Sequence, residues 1–352
     1  MNECIQLAKL GNVSPNPKVG AIIFKDAKII GKGFHRGFGL PHAEIEAIKN
    51  AKTSVKNSTL IVNLEPCSHF GKTPPCVDEI IKQKISTVVI GSKDKNPIVE
   101  GIKKLQKANI KVVTGILEEK CGKLNEPFFK FITTKVPFVT LKIAQTLNGQ
   151  IADINGNSKW ISNLKSRKFV HKLRSETDAV LIGANTAIRD NPNLTTYLIK
   201  GKNPSRIIID GKFKCETSQN VFKKIGNEKI FLFVSNVFLK KQKAKEIEFK
   251  KIGIEIISLT SKSGKLNLKT ILKILGEKNL SSILVEGGTE IFSQFIKNKI
   301  ADKILVFIAP KIFSSQKSFF ESSDFSKISK SIAVKNITAK KLDNNILLEG
   351  YF

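Results

Sequence analysis

The sequence predicts two α/β domains in succession. The chain has 352 residues, which is too long for one ordinary domain and suggests two, each large enough to bury a core. Strand and helix patterns alternate along the first third, and a new series of strand patterns begins at Phe138, directly after Pro137. A hydrophobic content of 41% and a charged content of 25% are typical of globular proteins.

The first predicted domain covers residues 1–120. Strands are expected at 19–24, 28–33, 60–64, 88–91 and 112–115, and helices at 5–10, 43–51, 77–82 and 101–108. This alternation favours a layered α/β domain. The helix-like stretch that follows, with Phe at 128, 129 and 131, is predicted to connect the two domains over residues 121–137.

The second predicted domain covers residues 138–352. Strands are expected at 138–144, 179–182, 206–210, 229–234, 254–258, 283–286 and 304–309. Helices are expected at 165–174, 268–275 and 290–297. The Lys-rich stretch 226–251 is predicted to be a variable surface region.

The formal net charge is +29, but only five of the 59 basic residues are Arg. The Lys residues are scattered along the chain, and an excess of Lys, Ile and Asn is typical of an A+T-rich coding sequence. We therefore expect no nucleic-acid partner, although a diffuse positive field favours phosphorylated ligands. The five Arg of a chain that otherwise uses Lys are candidates for bidentate contacts to phosphate or carboxylate.

Cysteine usage and hydropathy predict a cytoplasmic protein. Five cysteines at irregular spacing argue against a disulfide framework and suit a reducing compartment. No apolar run reaches the length of a bilayer span, and the first residues lack a signal-peptide pattern. No membrane partner is expected.

Four residues carry the strongest chemical pattern: His42, Glu44, Cys67 and Cys76. One His and two Cys can hold three corners of a tetrahedral zinc ion and leave the fourth for a water, whose pKa falls to about 7. A Glu two residues after the His can take a proton from that water and pass it to a leaving amine. A structural zinc site would normally close all four positions with protein ligands. The pattern therefore predicts a hydrolytic deaminase with Glu44 as general acid/base.

The spacing of the two cysteines narrows the class of deaminase. Eight residues separate them, where deaminases of nucleobases and nucleosides generally have two. With the upstream segment 15–20, Pro-Asn-Pro-Lys-Val-Gly, this loop resembles the deaminase half of the bifunctional pyrimidine deaminase/reductase family of riboflavin biosynthesis. The resemblance implies a cytidine-deaminase-like three-layer α/β/α domain and a phosphorylated pyrimidine substrate.

The same resemblance locates the substrate pocket. It places the loop residues His69, Lys72 and Thr73 there, and Lys72 can meet the substrate's phosphate as a point charge. Asn16 is of the right type to hydrogen-bond a pyrimidine edge, but Pro-Asn-Pro is equally a plain turn.

In the second half, residues 283–290 run from a strand through two glycines into a helix. This arrangement lets backbone N–H groups approach a phosphate. It is not the Gly-x-Gly-x-x-Gly fingerprint, and a plain strand-to-helix turn would use the same residues. Segments at 141–149, 157–162, 173–175, 183–195, 206–210, 285–289 and 308–311 resemble, in order, the reductase half of the same family. The resemblance implies a dihydrofolate-reductase-like α/β domain that uses NADPH.

The resemblance also implies the residues of the reductase site. The NADPH site is expected at Ala144, Trp160, Thr186, Asp190, Gly288 and Thr289. Substrate contacts are expected from Ser158, Arg174, Leu194 and Glu286, with Lys142 near the carbon that is reduced. Arg174 can grip a phosphate bidentately, and Glu286 can bond sugar hydroxyls. The cofactor carries the hydride chemistry, so the protein mainly aligns the reactants.

Two positions depart from the family pattern. Asn148 stands where Asp is usual, and Tyr197 stands where an Arg usually follows Leu-Thr. Loss of that Arg removes a phosphate contact, for which Lys200 or Lys202 can substitute.

The leading hypothesis is a bifunctional enzyme. It removes the 2-amino group of 2,5-diamino-6-ribosylamino-4(3H)-pyrimidinone 5′-phosphate and then reduces the ribosyl group to ribityl with NADPH. The alternatives are a deaminase with a degenerate reductase domain, a nucleic-acid base deaminase, and a zinc-stabilised protein without activity. Related two-domain enzymes form homo-oligomers, and the same is expected here.

Overall fold

The computed structural model describes residues 1–223 and 226–352. The chain divides into two compact units, Met1–Val136 and Pro137–Phe352. Each contains one sheet with helices around it, so the predicted α/β class is confirmed for both. Within the described ranges, no helix has both the length and the apolar character needed to cross a membrane.

The first unit is built on a five-stranded sheet in the order β2-β1-β3-β4-β5. Its strands are β1 (Gly20–Lys25), β2 (Lys28–Phe34), β3 (Thr59–Leu64), β4 (Thr87–Ser92) and β5 (Lys111–Val113). Its helices are α1 (Asn2–Ala8), α2 (Ala43–Lys49), α3 (Cys76–Lys82), α4 (Gly101–Lys107), α5 (Glu118–Leu124) and α6 (Glu126–Thr134). Strand β1 is antiparallel to β2 and β3, whereas β3, β4 and β5 are parallel.

Glycine in β2 positions the helix that carries the deaminase residues. A Cβ at Gly33 would lie 2.4 Å from both the Ala43 carbonyl oxygen and the Ala47 nitrogen. A side chain there is therefore excluded, and the backbone of α2 packs directly on the strand. The first turn of α2, with His42 before it and Glu44 within it, is held against the sheet.

Residues 121–136, most of the predicted connecting segment, pack within the first unit. The Asn125 side-chain oxygen accepts a hydrogen bond from the Lys18 backbone N–H at 2.8 Å, and Phe129 is buried in the core beneath the sheet. Burial of Phe129 and Phe131 stabilises the packing of α6 in this unit. The segment is therefore part of the first unit, as the end of α5 and the whole of α6, and not a free connection. The second unit begins at Pro137.

The second unit contains a nine-stranded sheet in the order β10-β9-β8-β7-β11-β6-β12-β14-β13. The strands are β6 (Phe138–Thr146), β7 (Ala179–Gly183), β8 (Ser205–Ile209), β9 (Ile230–Ser235), β10 (Glu255–Leu259), β11 (Ser282–Gly287), β12 (Lys303–Ala309), β13 (Lys335–Leu342) and β14 (Asn345–Tyr351). The helices are α7 (Leu164–Glu176), α8 (Ala184–Arg189), α9 (Asn236–Lys241), α10 (Lys243–Lys251), α11 (Leu268–Glu277) and α12 (Thr289–Lys297), and short 3-10 turns lie at Asn220–Phe222, Ser323–Phe325 and Ile328–Lys330. The seven strands from β10 to β12 in this order are parallel to one another. At the edge next to β12, β14 is antiparallel to β12, and β13 is antiparallel to β14.

The apolar runs predicted as strands form the centre of this sheet. Strands β7 and β9 are buried along their whole length, as expected for parallel strands covered on both faces. The stretch 226–251, predicted as a variable surface region, instead contains this buried strand β9 together with α9 and α10. Most lysines of α9 and α10 are exposed, whereas Lys245 is largely covered and donates to the Phe213 carbonyl, and Phe249 is fully buried.

Several other elements differ from the sequence predictions. The first helix covers Asn2–Ala8 rather than 5–10, because Cys4, Ile5 and Ala8 form its buried face and Leu10 is exposed. Helices α8 to α10 and strands β13 and β14 were not predicted. Strand β13 is exposed at seven of its eight residues, so its sequence has no apolar alternation to indicate a strand.

Candidate active sites

His42 lies at the start of α2 and directs its ring towards two sulfur atoms. Its Nδ1 atom is 3.4 Å from Cys67 Sγ and 3.3 Å from Cys76 Sγ. The backbone of His42 is extended, so its side chain leaves the helix axis while the next residues begin the helical turn. The ligand atoms of all three residues lie within 4.8 Å of one another.

The two cysteines approach from different elements. Cys67 follows β3, and Cys76 is the first residue of α3 and donates its backbone N–H to Cys67 Sγ at 3.3 Å. Hydrogen bonds from Cys76 and from His42 lower the pKa of Cys67 to about 4, although burial opposes this shift. Cys67 is therefore ready to act as a thiolate, the form that binds metal.

Glu44 lies in the first turn of α2 and is only 3% exposed. Burial raises the pKa of its carboxyl to about 7, against the opposing charge of His42. A carboxyl group with a pKa near neutrality can both accept and release a proton, which a general acid/base requires.

These residues surround one cavity of about 210 Å³. The predicted deaminase residues that line it are Asn16, His42, Glu44, Cys67, His69, Lys72 and Thr73, and Cys76 lies within ligand distance of His42. The Lys72 ammonium lies 4.0 Å from the centre of the Phe38 ring, a contact that holds a flexible side chain beside the cavity. The structure thus brings together every residue predicted for the deaminase site.

The second unit contains a cleft of about 1200 Å³ at the carboxyl ends of β6, β7, β8 and β11. Ligands of open parallel sheets bind at this edge. All six residues predicted for NADPH line the cleft: Ala144, Trp160, Thr186, Asp190, Gly288 and Thr289. The Ser158 hydroxyl donates to Asp190 Oδ2 at 3.3 Å, which joins a predicted substrate residue to a predicted cofactor residue.

Three predicted substrate residues form one buried charged group. Arg174 donates to both carboxylate oxygens of Glu286, with 2.8 Å between Nη2 and Oε2, and also to the Thr195 carbonyl at 2.9 Å. Lys142 Nζ lies 4.0 Å from Glu286 Oε2. Burial alone would raise the pKa of Glu286, but Arg174 outweighs it and holds that pKa below its usual value. Burial lowers the pKa of Lys142, Glu286 opposes this shift and Arg174 adds to it.

This group changes the role of Arg174. Its guanidinium donates hydrogen bonds to Glu286 and to a backbone carbonyl. The bidentate contact predicted with a phosphate is made here with the carboxylate of Glu286. Arg174 does not line the cleft, whereas Lys142 and Glu286 do. Leu194 does not line it either: it is buried in the apolar core of the unit.

The two departures from the family pattern have different surroundings. Asn148 donates to the Phe313 carbonyl at 2.9 Å and accepts from the Thr146 hydroxyl at 2.7 Å, so its amide closes a turn outside the cleft lining. Tyr197 is 66% exposed and packs edge-on against His171, with 4.5 Å between ring centres.

Both halves of the chain match known protein families. Residues 137–348 match the model of the RibD C-terminal domain, and residues 1–92 match that of the cytidine and deoxycytidylate deaminase zinc-binding region. The riboflavin biosynthesis protein RibD of Aquifex aeolicus is 43% identical over 317 residues, which cover 89% of this chain and 86% of that protein. The chain belongs to the RibD family. The RibD protein of Actinobacillus pleuropneumoniae is 32% identical, over 99% of this chain and 93% of that protein.

Solved structures of the RibD family share the whole fold. The diaminohydroxyphosphoribosylaminopyrimidine deaminase/5-amino-6-(5-phosphoribosylamino)uracil reductase of Thermotoga maritima is 40% identical, with a TM-score of 0.88 over 100% of this chain and 97% of that one. Acinetobacter baumannii RibD is 30% identical, with a TM-score of 0.86 over 99% and 97% of the two chains. The predicted cytidine-deaminase-like and dihydrofolate-reductase-like domains are thereby confirmed, as is a bifunctional deaminase and reductase of riboflavin biosynthesis.

The donor set of the first site fits the zinc of this family. Tetrahedral bonds of about 2.1 Å to nitrogen and about 2.3 Å to sulfur place the two ligand atoms about 3.6 Å apart. The distances from His42 Nδ1 to the two sulfurs are 3.4 and 3.3 Å. Three protein ligands leave one position for water, as in catalytic zinc sites.

The cleft fits NADPH at the turn before α12. A Cβ at Gly287 would lie 2.8 Å from Thr186 Cγ2, and Gly288 has a φ of +91°, which favours glycine. Because both positions exclude side chains, the backbone N–H groups at the start of the nine-residue helix α12 stay open to a phosphate. Trp160, which is 59% exposed, presents its ring in the same cleft.

Sequence reasoning missed several residues of these sites. His35, Asp94 and Asn96 line the deaminase cavity, and Lys212, Lys214 and Lys265 line the reductase cleft. His35 had one available signal, because it is one of only four His in the chain. Lys212, Lys214 and Lys265 had no such signal, because the chain contains many other Lys residues.

Thr73 also has a role that the sequence did not indicate. With Nδ1 of His42 facing the sulfurs, Nε2 carries the hydrogen and donates to Thr73 Oγ1 at 3.4 Å. Partners of this kind fix the orientation of a ligand ring, and their loss typically costs about 10- to 100-fold in metal affinity.

Thr73→Val is therefore expected to weaken zinc binding about 10- to 100-fold. The measurement is competition for zinc with a chromogenic chelator. Thr53→Val, at an exposed loop position of the same unit, is the control and should bind zinc like the unaltered protein. Equal affinity of both variants would show that the Thr73 hydroxyl does not hold His42.

Proposed function

We propose that the two sites act in sequence on one pyrimidine phosphate. The first site removes the 2-amino group of 2,5-diamino-6-ribosylamino-4(3H)-pyrimidinone 5′-phosphate, and the second reduces the ribosyl group of the product to ribityl with NADPH. The observation that carries this proposal is the pairing, in one chain, of the His42, Cys67 and Cys76 ligand set beside Glu44 with a cleft that contains Lys142 and Glu286.

In the first step, the chain's residues hold the substrate and move protons. Zinc, when bound, supplies a Lewis acid that makes water nucleophilic at neutral pH. Glu44 takes the proton of the attacking water and delivers it to the leaving amine, as its pKa of about 7 allows. Asn16 holds the pyrimidine edge, and Lys72 meets the phosphate as a point charge.

In the second step, the substrate's own chemistry defines what the site must do. An N-ribosylamine opens to an imine, whose carbon accepts hydride and whose nitrogen must gain a proton. NADPH supplies the hydride. Lys142 and Glu286 form the buried donor and acceptor pair at the reacting carbon, and Arg174 positions Glu286. Ser158 contacts the substrate next to Asp190.

The experiment that tests the proposal supplies the diaminopyrimidine phosphate with and without NADPH. Ammonia release and NADPH oxidation are followed separately. Ammonia is expected in both cases and NADPH oxidation only after it. Ammonia release without oxidation would favour the deaminase with a degenerate reductase domain, a hypothesis motivated by Tyr197 and Asn148, the two departures from the family pattern.

Lysines at one end of the reductase cleft support a preference for NADPH over NADH. Lys212 and Lys214 follow β8, where they are exposed while Phe213 and Cys215 between and after them are buried. The loop with Lys265 approaches closely, since a Cβ at Gly211 would lie 1.7 Å from the Gly264 carbonyl oxygen. Three Lys side chains that line one cleft, on two loops that approach each other, fit the additional phosphate of NADPH.

Replacing Lys212, Lys214 and Lys265 together by Gln is expected to reduce the preference for NADPH over NADH by at least about tenfold, by loss of charge-assisted contacts. Steady-state kinetics with both cofactors measure this ratio. Lys262→Gln, an exposed neighbour outside the cleft lining, is the control. If the triple variant kept the same preference for NADPH over NADH, the additional phosphate of NADPH would not bind beside these lysines.

We further propose a homo-oligomer in the cytoplasm. The five cysteines are all free, four of them buried, which is consistent with a reducing compartment. Sedimentation equilibrium of the purified chain tests the oligomer.

A further inference from the structure

His35 is a buried histidine that takes no part in either proposed reaction step. It follows β2 directly and is 2% exposed. Its backbone N–H donates to the Val19 carbonyl at 2.9 Å, and its ring lies edge-on to the ring of His42, with 5.1 Å between centres. Both ring nitrogens have partners at hydrogen-bond distance: the Pro41 carbonyl and the Asn16 side-chain amide.

These two partners define which nitrogen of His35 carries the hydrogen. The Pro41 carbonyl can only accept, so the ring nitrogen 3.1 Å from it, Nδ1, must be the donor. A neutral imidazole has one donor and one acceptor, and Nε2 is then the acceptor. No carboxylate is hydrogen-bonded to this ring among the described residues, and an unpaired buried charge is costly, so the neutral ring is favoured.

The tautomer of His35 in turn determines the orientation of Asn16. Only the amide nitrogen of Asn16 can donate to an acceptor, and Nδ2 lies 3.1 Å from His35 Nε2. One of the two N–H groups of Nδ2 is thereby engaged, and Oδ1 of the same side chain has no hydrogen-bond donor within the described part of the chain. Asn16 lines the same cavity as Glu44, His42 and Cys67, so its Oδ1 is available there as a hydrogen-bond acceptor.

We propose that His35 is a positioning residue for the deaminase, which fixes Asn16 as a hydrogen-bond acceptor for an N–H group at the edge of the pyrimidine. This inference rests on the proposed deaminase substrate. A 4(3H)-pyrimidinone carries a hydrogen on the ring nitrogen next to the carbon that loses its amine, whereas the corresponding nitrogen of cytosine has none. The orientation of Asn16 therefore selects for the first class of ring and against the second.

Three substitutions at His35 separate its two hydrogen bonds. His35→Gln can place an oxygen near the position of Nε2 and keep an acceptor for Asn16. His35→Asn reaches only the Pro41 carbonyl, and His35→Phe keeps the ring without either bond. The expected rise in the deaminase KM is less than about threefold for Gln and about tenfold for Asn and Phe, which is the usual net effect of one or two neutral hydrogen bonds. NADPH oxidation with the deaminated substrate is an internal control and should be unchanged in all three.

Double substitution distinguishes positioning from a general structural role. If His35 acts only through Asn16, then Asn16→Ala combined with His35→Phe is no slower than Asn16→Ala alone. Zinc content is measured in each variant, because Pro41 directly precedes the ligand His42. Full zinc content with non-additive losses supports the proposal.

Three results would overturn the proposed role of His35. Additive losses in the double variant, loss of zinc in His35→Phe, or equal damage in the Gln and Asn variants would each mean that His35 supports the fold rather than Asn16. The unaltered enzyme is assayed first with the diaminopyrimidine phosphate. Absence of ammonia release there would overturn the proposed substrate, and with it this role, whereas normal turnover followed by one of the three results above overturns the role alone.

Discussion

Glu44→Gln is expected to reduce the rate of ammonia release by about 10²- to 10⁴-fold, the usual contribution of general acid–base catalysis. Glutamine has nearly the same shape but cannot accept the proton of the attacking water. His42, Cys67 and Cys76 are untouched, so zinc should remain bound. The reductase cleft lies in the other unit and should retain its full rate with the deaminated substrate.

A neighbouring glutamate provides the matched control. Glu46 lies on the same helix two residues later and forms a partly exposed ion pair with Arg36, 3.5 Å between Nε and Oε2. Glu46→Gln should release ammonia at nearly the unaltered rate, because surface pairs contribute little. If Glu44→Gln and Glu46→Gln behaved alike, the carboxyl of Glu44 would have no part in the chemistry, as the zinc-stabilised protein without activity requires.

The deaminase site was more predictable from sequence than the reductase site, and the reason is physical. A tetrahedral metal site needs particular ligand types, and His42, Cys67 and Cys76 lie at element ends that a short apolar run and a helical pattern already mark. The structure brings all three within ligand distance. The ligand types and their spacing in the sequence were therefore enough to predict that these three residues meet at one metal site.

The reductase site depends on contacts between distant parts of the chain. Arg174 and Glu286 are separated by 112 residues, and nothing in either local sequence indicates that they pair. Sequence reasoning could assign both to the substrate from a family resemblance, but it could not show that the guanidinium is already occupied. Leu194 was assigned to the substrate in the same way, and its side chain is buried in the core.

Of the two kinds of bidentate Arg contact that the sequence indicates, to phosphate or to carboxylate, the structure shows the second at two positions. Arg206 is completely buried, where it pairs with Glu228 and donates to the backbone carbonyls of Val221 and Lys223. At Arg206 and Arg174, two of the five Arg in the chain, one planar group satisfies several acceptors at once. Both partners are carboxylates of the protein itself rather than phosphates.

Arg174→Met should therefore destabilise the second unit strongly. It leaves the Glu286 carboxylate buried, with Lys142 at 4.0 Å as its remaining ion-pair partner. Removing one partner of a buried ion pair typically costs about 3–5 kcal/mol in the free energy of unfolding. Reductase activity should also fall, because Glu286 loses the group that holds it, while ammonia release should persist.

Urea unfolding followed by tryptophan fluorescence measures this cost, because Trp160 is the only Trp of the chain and reports on the second unit alone. Lys165→Met is the control: its pair with Asp343, 2.7 Å between charged atoms, has side chains 56% and 60% exposed and should contribute no more than about 1 kcal/mol. A loss of similar size in both variants would contradict the buried-pair account.

The pH dependence of the Arg174→Met deficit provides a further test. In the unaltered protein, Arg174 holds the folded-state pKa of Glu286 below its usual value, so this carboxylate stabilises the fold above its unfolded-state pKa and the contribution is lost as pH falls through the folded-state pKa. Without Arg174, burial raises the folded-state pKa instead, and the buried charge destabilises the fold at neutral pH. Protonation relieves that cost, so the difference in unfolding free energy should shrink as pH falls towards the ordinary Glu pKa of about 4.3. A deficit independent of pH would mean that the substitution disturbs packing alone and that the charge of Glu286 is not what Arg174 balances.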